Sequence, residues 1–294
     1  MYLSENPLSS IVINTEFDLG GAATPHGPDI LNASFYLHDI SMKDNHMLEN
    51  SFLERDFNIV VNDGLYYKKF SDLPFTGQIE GYFKGEFKNG KRDGPWVVFY
   101  DNGRIKRKGL YKDDKREGQW VNYRKDGQVW KKGNYTKELR EGPWVRYFEK
   151  EQLSFEGSFK NGKSEGLQVH YHKNGTISGK GVFKNGKMEG LHSYYYDNGQ
   201  LDWKANYKND KFDGPATRYY ENGQMMSEGA YKNGIKEGLW AEYHYHGILF
   251  EKGIFKNGKK DGLWVIRSCN WSLECEPEEA KEIYKDGVKL KIEF

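Results

Sequence analysis

The sequence predicts an all-β fold, an elongated antiparallel β-meander or solenoid of stacked β-hairpins. Three observations carry the prediction. The first is an internal period of 24 residues. Taking Gly85 as position 1, the same position recurs at Gly109, Gly133, Gly157, Gly181, Ala205, Gly229 and Gly253 with no insertion or deletion. A fixed period of this size marks a repeat architecture, in which stacked copies bury what one copy cannot. The second is a pair of glycine-bearing turns in every period. The third is a set of fixed aromatic and apolar positions between those turns.

Each element follows in order along the period. The first run carries an aromatic at position 3: Phe87, Tyr111, Tyr135, Phe159, Phe183, Tyr207, Tyr231 and Phe255. A turn of the form Lys-Asn-Gly-Lys-x-acid-Gly follows, as in Lys160 to Gly166, with an acid always at position 9 and glycine at position 10. The second run carries an aromatic at position 15: Phe99, Tyr123, Tyr147, Tyr171, Tyr195, Tyr219 and Tyr243. Asn-Gly turns close it, as at Asn102-Gly103, Asn174-Gly175, Asn198-Gly199 and Asn222-Gly223, and position 21 is then apolar from Ile105 to Leu249. The runs are about six residues, the usual strand length. Asn-Gly between such runs predicts a tight type I′ turn, which needs positive φ at both central residues. The Lys-Asn-Gly-Lys turn is longer and reads as the looser of the two. No helix is expected inside the array, because a glycine-bearing turn interrupts every stretch long enough to hold one.

The phrase Gly-x-Tyr-Lys-Asn-Gly-Lys-x-Glu-Gly-x-Trp-x-x-Tyr-Tyr-x-Asn-Gly resembles the MORN repeat. More narrowly it is similar to the bacterial variant of YwqK-like proteins, a family that carries an antitoxin label. The likeness runs from Gly85 to about Trp264. It implies stacked hairpins, in agreement with the reading above. It also implies a scaffold, dimerisation or phospholipid-binding role, or antitoxin action on a partner protein.

Four segments are expected. Residues 1–52 form a poorly structured acidic segment, and 53–84 an N-terminal β cap with strands from Phe57 to Val61 and Leu65 to Phe70. Residues 85–264 form the array, seven full repeats and a partial eighth, and 265–294 a capping segment with a final hairpin near Tyr284. No leader or 18-residue apolar stretch is seen, so the expected compartment is the cytoplasm, with peripheral membrane association open. Cys269 and Cys275 are too few for a disulfide framework and are expected as free thiols. The formal net charge of +1 hides an asymmetry. Residues 1–84 hold 5 basic and 12 acidic side chains, whereas 85–132 hold 14 basic and 7 acidic.

Catalysis is not expected. An active site needs a unique constellation, and here the carboxylates and tyrosines come as series demanded by the repeat. The pairs His170/His172 and His244/His246, with His192 one repeat on from the first, alternate like metal ligands. Equivalent strands of adjacent repeats lie about 10 Å apart, too far to share an ion bonded at about 2 Å. No metal, cofactor or nucleic acid is expected. The protein-binding site is expected where the tryptophan series at position 12 (Trp96, Trp120, Trp144, Trp240, Trp264) breaks at Gln168, His192 and Ala216. Positions 12, 14 and 16 would share one face there. A groove floored by Ala216 and flanked by His170, His172, His192, Tyr194, Tyr196, Arg218 and Tyr220 would suit a protein partner, a toxin in the most specific version. Two alternatives stand beside it: Trp203 fills the same volume, or the break is drift. The invariant aromatics at positions 3 and 15 are expected in the core. The competing function is anionic phospholipid at Lys106, Arg107, Lys108, Lys131 and Lys132.

Overall fold

The computed structural model describes residues 50–269 and 275–290, with side chains outside 268–279. The expectations for residues 1–49 and for the thiols of Cys269 and Cys275 lie outside that set. The chain divides into two units, Met1–Val60 and Val61–Phe294. In the first, a helix spans 50–57 and a strand, Ile59–Asn62, begins. The strand expected from Phe57 is therefore corrected at its start. The stretch Phe52-Leu53-Glu54-Arg55-Asp56 has no breaker, and Asn58 at φ 52° stops the helix as a left-handed cap.

In the second unit, Leu65–Lys68 precedes an open antiparallel sheet of 20 strands, from Gly77–Glu80 to Val288–Leu290. Lys91–Arg92 and Gly94–Phe99 both pair with Phe83–Lys88, and otherwise each strand pairs with its neighbour in sequence, so the sheet is a run of consecutive hairpins. The array reaches past both expected ends. Gly77 faces Phe87 as Gly94 faces Tyr111, and Gly262 faces Tyr284 in the same way. The C-terminal segment is thus the start of a further repeat displaced in sequence.

The two turns exchange the roles expected of them. Lys88 and Lys91 face each other across Asn89-Gly90, at φ 49° and 71°. That is the two-residue type I′ hairpin, and it recurs at Asn161-Gly162, Asn185-Gly186 and Asn257-Gly258. At Asp101-Asn102-Gly103 only Gly103 has positive φ. Tyr100 and Arg104 are bonded across three residues, through Tyr100 N–H to Arg104 O at 2.7 Å. The Lys-Asn-Gly-Lys turn reads as longer in sequence because its seven-residue signature also contains a bulge. Register slips between Glu141 and Trp144 around Gly142, whose φ is 66°.

The core follows from that bulge, which aims position 12 across the glycine of position 1. A Cβ added at Gly109, Gly133, Gly229 or Gly253 would meet the indole of Trp120, Trp144, Trp240 or Trp264 at 2.2 Å. The indole N–H of Trp120, Trp144 and Trp240 then donates to the position 2 carbonyl, as Trp144 does to Asn134 O at 3.1 Å and Trp240 to Ala230 O at 3.0 Å. Position 3 rings stand edge-on against each indole, Tyr135 and Trp144 at 5.0 Å and 85°. Position 8 cations cover those rings, with Arg116 3.9 Å from the centre of Tyr135 and Arg140 4.0 Å from that of Phe159.

Neighbouring repeats are also bonded side to side. Position 9 carboxylates accept the N–H of the strained turn residue one repeat on, Glu141 from Asn161 and Glu165 from Asn185, both at 2.8 Å. This explains the acid in every copy. The next turn residue donates its N–H to the position 8 carbonyl behind it, as Gly162 does to Arg140 O at 2.9 Å. Where that residue is acidic, as at Asp114 and Glu138, its carboxylate also binds Arg92 or Arg116.

The ring-on-glycine contact predicts a thermodynamic coupling. Trp144→Ala should destabilise the array by about 3–5 kcal/mol, and Gly133→Ala by about 1–3 kcal/mol through overpacking. Together they should cost less than the sum by more than about 1 kcal/mol. Urea denaturation of the four proteins measures this, and additive losses would deny the contact its role.

Candidate functional site

The structure fills the place where an open groove was expected. Gln168 and His192 are each 1% exposed and lie over Gly157 and Gly181 as the tryptophans lie over their glycines. Both keep the indole's polar contact. Gln168 Nε2 donates to Ser158 O at 3.5 Å, and His192 Nε2 lies 2.9 Å from Val182 O. At these two breaks the series is interrupted in size but not in hydrogen bonding. At the third break the volume is taken up differently. Ala216 faces Ala205, the one copy without glycine at position 1. Trp203 packs with Tyr194, Phe212 and Ala216 around buried Met188, Ala205 and Tyr207. It stacks on Tyr194 at 4.6 Å and 11°. Of the alternatives weighed from the sequence, the filling by Trp203 is the one seen.

The other groove residues are engaged within the array. Position 16 reaches to the position 15 carbonyl of the next repeat: Tyr196 Oη to Tyr219 O at 2.9 Å and Tyr220 Oη to Tyr243 O at 2.8 Å. His172 Nε2 lies 2.8 Å from Tyr195 O, and Tyr100 and Arg124 make the same reach. His170 lies against Phe155, with ring centres 5.0 Å apart. Arg218 pairs with Asp202 at 3.5 Å. Positions 12, 14 and 16 therefore form the packed face, and position 15 lies opposite, half-buried. Tyr171 there donates to Glu156 at 2.6 Å, and Lys180 covers Tyr195. Placing position 15 in the core is corrected, because the bulge puts the tryptophan on the other side. Among the described residues, no group of three or more His, Cys, Asp or Glu is placed to hold a metal ion, and no helix is long and apolar enough to cross a membrane.

The basic candidates divide between the faces. Arg107 and Lys131 face Val98 or Asn122 on the tryptophan side. Lys108 and Lys132 face Val97 or Val121 and Val145 on the opposite side, both exposed. Lys106 lies 5.8 Å from the ring centre of Tyr100.

One feature escaped the sequence reading. On the face opposite the tryptophans, Leu167, Leu191, Leu239 and Leu263 at position 11 are each more than half exposed, at 56%, 54%, 56% and 53%. Leu167 faces Val182, Leu239 faces Ile254 and Leu263 faces Ile283, all exposed position 2 residues or their equivalent. The signal was the recurrence of leucine beside the invariant glycine at position 10. It was hidden because Pro95, Gln119, Pro143 and Pro215 hold position 11 elsewhere.

Stretches of the sequence that builds this pattern are matched by family models. The chain carries MORN repeats. The MORN repeat variant matches residues 92–113, 140–161, 164–185, 188–209 and 212–233, and the MORN repeat matches 83–95, 117–128 and 252–263. No curated protein matches the chain. Among solved structures it is similar to a chain in "Crystal structure of GtfA/B complex bound to UDP and GlcNAc", at 13% identity and a TM-score of 0.14. That match covers 45% of this chain and 24% of the other. A likeness so slight carries nothing about fold or function. The matched MORN segments include Gln168, His192 and Ala216, so replacement of the tryptophan is accommodated within the repeat pattern.

Burial favours the neutral form of two histidines on this face, His170 and His192. It pushes His170 down to about 4, aided by Arg146, and lowers His192 against the opposing pull of its backbone bonds. Both folded values lie below the unfolded value of about 6.5. The unfolded chain therefore binds more protons as the medium is acidified. Stability is fully present above about pH 6.5 and should be lost progressively toward about pH 4. Urea denaturation across that range should show the slope, and His170→Asn should flatten it. An unchanged slope in the variant would remove His170 as the cause.

Proposed function

We propose that the chain is a non-catalytic scaffold that binds another protein through the face opposite the tryptophans. The observation that carries this is a pair of exposed aliphatic clusters on that face, Leu167, Val182 and Leu191, then Leu239, Ile254 and Leu263, with Asn206, Pro215 and Ala230 between them. Contiguous exposed apolar surface on a soluble fold marks an interaction site when it exceeds scattered single residues. The tryptophan face is engaged in its own packing over repeats four to six, which leaves less there for a partner to desolvate. Polar residues demanded by the repeat have structural partners, which favours binding over catalysis. Covering a toxin is the most specific version, and it rests on resemblance alone.

A second reading, anionic phospholipid, is supported by exposed Lys108 and Lys132 on the same face as those clusters. Salt separates the two readings. Exposed charges are screened within about 10 Å at 0.1 M, while aliphatic contact is not.

Leu191→Lys with Leu239→Lys should leave the thermal melt within about 2 °C, because both side chains already face solvent. The same pair should remove partners captured by cross-linking in the native host. An unchanged set of captured proteins beside an intact melt would end the proposal.

A further inference from the structure

The face opposite the tryptophans carries a longer period than the repeat itself. Its two aliphatic clusters are images of each other at a spacing of three repeats: Leu167, Val182 and Leu191 recur as Leu239, Ile254 and Leu263. Lysines recur with them. Val182 stands in Lys180-Gly-Val-Phe-Lys184, and Ile254 in Lys252-Gly-Ile-Phe-Lys256. All four lysines are exposed. Alternate residues of a strand share a face, so each aliphatic side chain has a lysine about 7 Å to either side along its strand. Lys184 also faces Lys187, and Lys256 faces Lys259, like charges opposed across the turn. The carboxylates that face Val182 and Ile254, Glu189 and Asp261, accept turn N–H groups from Asn209 and Asp286, and Asp261 also pairs with Lys285.

Between the clusters the same positions read Lys204-Ala-Asn-Tyr-Lys208 and Glu228-Gly-Ala-Tyr-Lys232. Glu228 reverses the charge there, as Glu156 does three repeats earlier, and each accepts a tyrosine hydroxyl, Tyr243 at 3.2 Å and Tyr171 at 2.6 Å. The packed face does not follow this period. Position 12 changes at each such step, from Trp120 to His192 to Trp264, from Trp144 to Ala216 and from Gln168 to Trp240. Duplication of a three-repeat block would carry both faces alike, so the longer period belongs to what the exposed face meets.

We propose, on the footing of the protein-docking face above, that each cluster takes the same kind of partner segment: an extended stretch of the form acid-x-aliphatic-x-acid. Its aliphatic side chain lies on the cluster and its carboxylates meet the two flanking lysines. Such carboxylates stand four residues apart, about 13 Å in an extended segment, and Lys180 and Lys184 are four residues apart on theirs. Aliphatic contact supplies affinity, and the charge-assisted bonds set register. The two sites lie six strands apart, about 29 Å, so one array holds two such segments. A lipid surface is continuous and has no use for sites at intervals with Glu228 between them. A third phrase, Lys108-Gly-Leu-Tyr-Lys112, has Pro95 and Gln119 where the clusters have leucine, and is the charged half of a site alone.

A peptide with the core Glu-Thr-Leu-Thr-Glu, joined to the full chain by carbodiimide and mapped by mass spectrometry, tests the proposal. Adducts should concentrate on Lys180, Lys184, Lys252 and Lys256, at least about tenfold over Lys204 and Lys208, which bracket Asn206 in the same way. A peptide of equal charge with serine for leucine should show no such preference. Val182→Ser should abolish the preference at the first site alone, and Ile254→Ser at the second alone. Adducts spread evenly over the lysines, or a preference shared by the serine peptide, would overturn the assignment. In host cross-linking, Lys184→Glu with Lys256→Glu should remove the same partners as Leu191→Lys with Leu239→Lys. Partners lost only with the leucines would leave the docking face standing and overturn the acidic segment, whereas partners kept in both variants would end both readings. Phosphatidate vesicles that sediment the chain and its Val182→Ser, Ile254→Ser variant equally, beside no peptide preference, would give the face to lipid instead.

Discussion

The structure depends on an indole lying where a side chain would otherwise begin. Position 1 must lack a Cβ because the tryptophan of position 12 occupies that space, with ring atoms 2.2 Å from where the Cβ of Gly133 would be. Once the ring is there, the N–H of Trp120, Trp144 and Trp240 reaches one carbonyl, and the position 3 aromatics have an edge to stand against. The position 8 cations then have a ring to cover. The rule holds even where the tryptophan is gone. Gln168 and His192 preserve the N–H donor over a glycine, while Ala216 drops the ring altogether, Ala205 replaces the glycine and Trp203 packs into the freed space. The one missing glycine and the one small position 12 residue thus face each other for a single steric reason.

Much of this fold was legible before any coordinates. The period, the hairpins and the aromatic position 3 follow from local turn chemistry and spacing, which depend on few residues at a time. What was not legible depended on the bulge. Counting alternate residues from position 12 to position 16 places them correctly on one face, but does not say which face packs. Invariance pointed to Tyr195, and variation pointed away from His192; the structure reverses both, since His192 is buried and Tyr195 only half so. A position can vary and still be core when its replacements share a hydrogen bond. The same bulge made the tighter turn look the looser one, because glycines of two separate features run together in sequence.

The candidate sites divide along similar lines. Tyr196 and Tyr220 suggested an interface by residue type and by flanking the break in the tryptophan series, yet their hydroxyls bond the neighbouring repeat. The basic repeats were visible as a charge sum, but a sum cannot show that Arg107 and Lys131 face one way and Lys108 and Lys132 the other. The leucines of position 11 were overlooked because exposure of an apolar residue is a property of the assembled sheet.

The order of the strands has a mechanical consequence. The sheet is open and made of consecutive hairpins, so its first and last strands lie at opposite edges. Tension applied between those edges would load the interstrand bonds one strand at a time, as in opening a zipper, rather than all together in shear. Such an array should yield at low force and in small steps, each releasing about one hairpin, and should refold from whatever part remains. It would act as a compliant tether under load while keeping a defined surface at rest.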